Sequence, residues 1–244
     1  MNCVILAAGY ATRLYPLTEH FPKPLLPVGE KTILDWLLDD LKSAGGMEEI
    51  VLVSNHRYAE AFRTWASGRK EPIRVLDDGS TENENRLGAV RDLALAVREL
   101  GTDKETLVLA GDNLLDFSLA RFLDYAREKG TSCVMRYREA SIEKLRRGGV
   151  VVIDGEDRIL RMVEKSPEPP SHWACPPFYA YTPEALALLS EALESGCGAD
   201  APGSFLAWVA ARLPVYAMEM PGKRYDIGNL ESYELVKKEY TGIC

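Results

Sequence analysis

Asn2-Cys3-Val4-Ile5-Leu6 opens the chain with an almost unbroken apolar run, and the small residues Ala7, Ala8, Gly9 and Ala11 follow at once. Such a run predicts a strand buried on both faces, which belongs in a parallel sheet covered by helices. A buried strand that ends among small residues brings backbone N–H groups to the carboxyl edge of the sheet. Open α/β sheets bind ligands there, and closely approached amides can cradle an anion.

The rest of the chain alternates strand-like and helix-like segments, the pattern of a doubly wound α/β fold. Thr32 can cap a helix whose Ile33, Leu34, Leu37, Leu38 and Leu41 fall at helical spacing, and Gly45-Gly46 ends it. Strands are predicted at 50–53, 73–76 and 106–110, and helices at about 58–65, 88–100 and 118–129. Further strands at 133–137, 150–153, 159–163 and 178–181 are joined by charged or proline-rich connections and read as a smaller antiparallel lobe beside the parallel core. Helices at 183–195 and 203–212, a strand at 215–218 and a helix at 230–240 close the chain. The expected fold is a Rossmann-like, doubly wound, mostly parallel sheet with that smaller lobe.

A chain of 244 residues, 46% hydrophobic, can bury one large core, and no linker, repeat or low-complexity tract divides it. One domain, 1–244, is expected. The net charge of -8 argues against nucleic acid as a partner, because that contact depends on neutralising many phosphates at once. Cys3, Cys133, Cys175, Cys197 and Cys244 are odd in number and contain no CxxC pair, so they read as reduced thiols. No signal peptide and no membrane-length apolar stretch is present. A cytoplasmic protein without a membrane partner is expected, and its oligomeric state is unassigned.

The loop after the first strand carries Arg13, whose planar fork suits phosphate oxygens, and Lys23, a point charge stiffened between Pro22 and Pro24. The alternative is a solvated loop with two ordinary cations. Neither GxxxxGK[ST] nor GxGxxG occurs there. Gly111-Asp112-Asn113 follows a predicted strand directly, where a carboxylate can face the ligand crevice and join a metal ion to phosphate. An Asp-Asn turn capping the next helix is the competing account.

From Leu6 to Val28 the sequence LAAGYATRLYPLTEHFPKPLLPV resembles the signature of the sugar-1-phosphate nucleotidylyltransferases, with Ala11 where the commoner form has glycine. The resemblance implies a nucleoside triphosphate held by Leu6, Ala8, Gly9, Arg13 and Lys23. It implies that Gly88 faces the nucleobase after the polar stretch 78–88, and that Asp112 and Asp226, the latter in Arg224-Tyr225-Asp226-Ile227-Gly228, hold Mg2+. Glu164-Lys165 is similar to the family's EKP element, interrupted by Ser166. With Asn113 and Gly149 these residues would bind the phosphorylated acceptor, Lys165 acting with Arg13 and Lys23 in catalysis. The antiparallel lobe commonly supplies that acceptor pocket in the family. The chain ends soon after the Asp226 element, so no second catalytic domain is expected.

The chemistry implied is attack of the acceptor's phosphate on the α-phosphorus of a nucleoside triphosphate, with loss of pyrophosphate. A phosphate monoester has a second pKa of about 6, so it is already a dianion near neutrality and needs no general base. His20, His56 and His172 are accordingly read as incidental. Two other accounts stand beside this one. A related cytidylyltransferase acting on phosphocholine would need an aromatic wall, for which Trp173, Phe178, Tyr179 and Tyr181 are candidates although core packing is their commoner use. A non-catalytic nucleotide binder would be expected to lack one of Arg13, Lys23, Asp112 and Asp226, and all four are present.

Overall fold

Asn2–Leu6 (β1) is buried along its whole length. The structure is a computed structural model and describes residues 1–243; Cys244 lies outside the described residues. Pro27–Val28 (β2) and Lys31–Thr32 (β3) form a small hairpin. Thr32 then caps Ile33–Ala44 (α1) in a capping box with Asp35, and Gly45 at φ 69 ends the helix as expected. Ile50–Ser54 (β4), Ala59–Ser67 (α2), Ile73–Asp77 (β5), Ala89–Leu100 (α3) and Thr106–Ala110 (β6) continue the predicted alternation. The GDN segment is not a helix-capping turn: Asn113–Leu115 (β7) is a strand, and Ala120–Lys129 (α4) starts later.

The second half contains Ser132–Arg138 (β8), Ile142–Leu145 (α5), Gly149–Ile153 (β9), Ile159–Glu164 (β10), Trp173–Cys175 (β11) and Phe178–Tyr181 (β12). The single helix expected at 183–195 is two, Pro183–Ala187 (α6) and Leu189–Glu194 (α7). The Leu188 N–H bonds to Ala185 O, three residues back, and this tighter turn lets both Leu186 and Leu189 reach the core. Gly203–Ala210 (α8), Val215–Glu219 (β13), Arg224–Asp226 (β14) and Leu230–Glu239 (α9) follow.

Strands β5, β4, β1 and β6 lie side by side and parallel. Helices cover both faces, because alternate residues of each strand point opposite ways. Cys3, Ile5 and Leu52 pack against α1, α2 and α4 on one face, while Val4, Val51 and Val53 pack against α3, α7 and α8 on the other.

The smaller antiparallel part expected beside the core is present and continues the core's own sheet. β12 joins β6 antiparallel, β8 follows, and β11, β9 and β10 extend the same sheet, with β13 parallel to β8. The segment Cys175-Pro176-Pro177 makes this possible. Trp173 and Ala174 pair with Arg138 and Tyr137, whereas Tyr179 and Ala180 pair with Val134 and Cys133, so a two-residue bulge separates β11 from β12 along one edge of β8. Before the bulge the chain's other edge pairs β9; after it, that edge pairs β6. Two prolines, which cannot donate to a ladder, sit where the partner changes.

The described cysteines are free: Cys3, Cys133 and Cys175 are buried and Cys197 partly so. No described helix is long and apolar enough to cross a membrane.

Candidate functional site

The loop after β1 is pinned from three sides. Ala7 N donates to Val53 O, Gly111 N to Leu6 O, and Asn55 Nδ2 to Ala8 O. Ala11 adopts a left-handed conformation at φ 47. Glycine reaches that region freely, so alanine there carries a strain of about 1 kcal/mol. A turn over Thr12–Leu14 then sends Leu14 into the core and leaves Arg13 exposed. No hydrogen bond or ion pair holds Arg13 among the described residues, although its Nη1 would lie 4.0 Å from a Cβ placed on Gly228. Lys23 lies within another tight turn, buried to 6% exposure, and its Nζ meets Asp112 Oδ2 at 2.7 Å.

These residues surround a cleft of about 300 Å³. Leu6, Ala8, Gly9, Arg13, Lys23, Gly88 and Asp112, all expected in the donor and metal sites, line it together. Gly88 caps α3 at φ 92, and a Cβ there would fall 2.5 Å from Ala199 O. Its lack of a side chain thus serves a close approach to the backbone of Ala199 and Asp200.

A second group lies outside that lining. Glu164 pairs with Gly149 across β10 and β9, and a Cβ on Gly149 would come 3.1 Å from Glu164 Oε2. Burial pushes the Glu164 carboxyl up to about 7, with Lys165 opposing the rise and Asp200 adding to it. Lys165 takes a left-handed conformation at φ 49, and its Nζ meets Asp200 Oδ2 at 2.7 Å. Asp200 also pairs with Arg86 at 3.0 Å. Since Arg86 and Asp200 both line the cleft, this bridge ties the Glu164-Lys165 group to the first.

Asp112, Asn113 and Asp226 come together through the β7–β14 ladder, which sets Asp226 opposite Asn113. Asn113 is buried with its amide fully engaged: Nδ2 donates to Asp112 Oδ1 at 2.9 Å and Oδ1 accepts from Arg224 Nη1 at 2.6 Å. Burial works against the charge of Asp112, but Lys23 and then Arg224 outweigh it and hold the carboxyl below its ordinary range. Two carboxylates with hard oxygen donors fit a magnesium ion, which keeps its remaining positions for water and phosphate. Among the described residues no group of three or more His, Cys, Asp or Glu could hold a metal ion by itself.

Four cleft or site residues were not singled out from the sequence: Arg86, Asp200, Asp92 and Arg224. Asp92 lines the cleft, and burial followed by the charge of Asp78 raises its carboxyl to about 8. Arg224 had a signal. It stands two residues before Asp226 on a strand, and alternate strand residues share a face. Arg86 and Asp200 had none, being 114 residues apart.

The aromatic candidates are elsewhere engaged. Phe178, Tyr179 and Tyr181 are buried in the core, and the Trp173 ring is covered by the guanidinium groups of Arg136 and Arg138 at 4.6 and 5.0 Å. His56 pairs with Asp77, and no described histidine lines the cleft.

The profile of the nucleotidyl transferase family matches residues 2–242, and the chain belongs to that family. It is 28% identical over 242 residues to a UTP–glucose-1-phosphate uridylyltransferase of Synechocystis, covering 96% of this chain and 61% of that relative. The chain therefore spans less than two thirds of that relative's length. Among solved structures, UDP-glucose pyrophosphorylase complexed with UDP-glucose superposes with a TM-score of 0.82 at 22% identity, over 98% of this chain and 97% of that one. CTP:phosphocholine cytidylyltransferase from Streptococcus pneumoniae gives 0.75 at 21% identity, over 97% of each. At such identities the likeness is one of fold: the doubly wound sheet with its antiparallel extension.

Proposed function

We propose that this chain transfers a nucleotidylyl group from a nucleoside triphosphate to a sugar 1-phosphate, giving an NDP-sugar and pyrophosphate, as a single magnesium-dependent domain working in the cytoplasm. The observation that carries the proposal is the convergence of Arg13, Lys23 and Asp112 on one cleft, bridged through Arg86 and Asp200 to Lys165 beside Glu164. The cleft would take the triphosphate. The Glu164-Lys165 side would take the acceptor, with Glu164 accepting hydrogen bonds from sugar hydroxyls.

Two anions must meet in this reaction, so alignment and charge neutralisation are the enzyme's main work. Arg13 has an unengaged guanidinium to place on phosphate oxygens. Lys23, stripped of most water, offers a fixed charge whose field is stronger than in solvent. Asp112 and Asp226 would hold Mg2+, which when bound supplies positive charge to phosphate oxygens. The acceptor's dianionic phosphate attacks the α-phosphorus, the bond to the bridging oxygen breaks, and pyrophosphate leaves with that electron pair.

A sugar phosphate is preferred over phosphocholine because a quaternary ammonium calls for open aromatic faces, and the candidate rings are buried or already covered by arginines. A screen of nucleoside triphosphates against hexose 1-phosphates and phosphocholine, followed by pyrophosphate release, tests this. Turnover with hexose 1-phosphates supports it; release with phosphocholine alone overturns it.

A further inference from the structure

Arg224 is a partly buried cation near Asp112 and Asp226 that the proposed chemistry leaves without a task. Its side chain is 16% exposed. Nη1 donates to Asn113 Oδ1 at 2.6 Å and lies 3.7 Å from Asp226 Oδ1, while Nη2 reaches Tyr137 Oη at 3.4 Å. The guanidinium also lies over the Tyr137 ring, 5.6 Å from its centroid. It is therefore held from β7, from its own strand and from β8, a strand of the antiparallel extension.

Arg224 thus contacts Asp226 directly and Asp112 through the side-chain amide of Asn113. Asp112 and Asp226 carry two negative charges, and Lys23 and Arg224 carry two positive ones. A magnesium ion added to this set leaves a net double positive charge, which is complementary to an incoming phosphate dianion. A guanidinium has five N–H donors in a rigid fork, and the two contacts it makes to neutral partners leave others to a ligand.

Resting on the sugar-phosphate function proposed above, we infer that Arg224 is a further binding residue for the acceptor's phosphate, placed by Asn113 and Tyr137 so that the attacking oxygen is presented beside Asp112 and Asp226. Lys165 then serves the outer side of the same phosphate. Its ammonium is exposed and already paired with Asp200, which makes it the weaker of the two anchors.

The test is steady-state kinetics of Arg224→Met and Arg224→Lys, using whichever phosphate monoester the wild type turns over, alongside thermal melts and titration with inorganic phosphate. The acceptor KM should rise about tenfold or more in Arg224→Met, with the nucleotide KM within about twofold, and Arg224→Lys should recover part of the loss. Inorganic phosphate should bind at least about tenfold more weakly to Arg224→Met than to the wild type, a readout that needs no turnover and no metal. Equal rises in both KM values, or unchanged phosphate binding, would overturn the assignment and leave Arg224 as a clamp on Asn113. If Arg224→Met melts early, Arg224→Lys decides: unchanged acceptor KM and phosphate affinity there also overturn it. Failure of the wild type on every hexose 1-phosphate would count against the proposed function, while the phosphate titration would still judge Arg224.

Discussion

Lys23 Nζ and Asp112 Oδ2 stand 2.7 Å apart, joining the loop after β1 to the end of β6 across 89 residues. The lysine side chain is 8% exposed and the aspartate 40%. The cation is thus desolvated and held in place, while the carboxylate keeps an open side toward the cleft.

Replacing Asp112 with Asn should lower turnover by about 10²–10³-fold, the scale of losing one group aimed at developing charge. Because Asp112 keeps one side in water, the melting temperature should fall by only about 2–4 °C. Activity that stays at the wild-type level in Mg2+ removes Asp112 from the site.

Glu164 should make acceptor binding depend on pH. With its carboxyl near 7, it is mostly protonated below that value and ionised above it. If the ionised form accepts hydrogen bonds from the sugar, the acceptor KM should fall as pH rises from about 6.5 to about 8. Glu164→Gln should flatten that limb while keeping the slope near pH 6 that belongs to the substrate's own phosphate. Parallel profiles for the two proteins would show that Glu164 does not titrate against the acceptor.

Asp92 predicts an opposite kind of pH effect, on stability. Its folded value of about 8 exceeds the ordinary 3.8, chiefly through burial. The folded chain therefore holds a proton that the unfolded chain releases. The stabilisation is complete below about pH 4 and is lost progressively up to about pH 8. Thermal melts at pH 5, 7 and 9 should show Asp92→Asn gaining on the wild type as pH rises. A constant difference would mean that Asp92 is not buried as a neutral acid.

Gly203 supplies a test at the other side of the cleft. A Cβ on this residue, the first of α8, would overlap Glu164 Oε2. Gly203→Ala should push that carboxylate aside and raise the acceptor KM by about tenfold, leaving nucleotide binding unchanged. An unaltered acceptor KM would separate Glu164 from acceptor recognition.

Much of the cleft's lining was legible from local sequence. Leu6, Ala8, Gly9, Arg13 and Lys23 lie within one loop, where short-range geometry and a long motif place them together. Asp112 was equally accessible because it follows its strand directly. The contacts of Asp200 with Arg86 and Lys165 were not, since Asp200 sits in an irregular segment whose pairings span 114 and 35 residues. The division of 183–195 at Leu188 was hidden for a related reason: an apolar pattern with helical spacing does not show where the chain tightens to reach the core.

The order of buried strands and amphipathic helices was set by residue periodicity, which records which faces must leave water, and so the doubly wound core follows from the chain alone. Tertiary structure decided how the antiparallel part is joined to it. Cys175-Pro176-Pro177 reads in sequence as an odd wall, but in space it is the bulge at which one strand changes partner from β9 to β6. Likewise Arg224 is one more arginine until the β7–β14 ladder sets it beside Asn113, Asp112 and Asp226. Hydrophobic burial is a local demand written residue by residue, whereas a buried charge has meaning only through the partners that folding brings within reach.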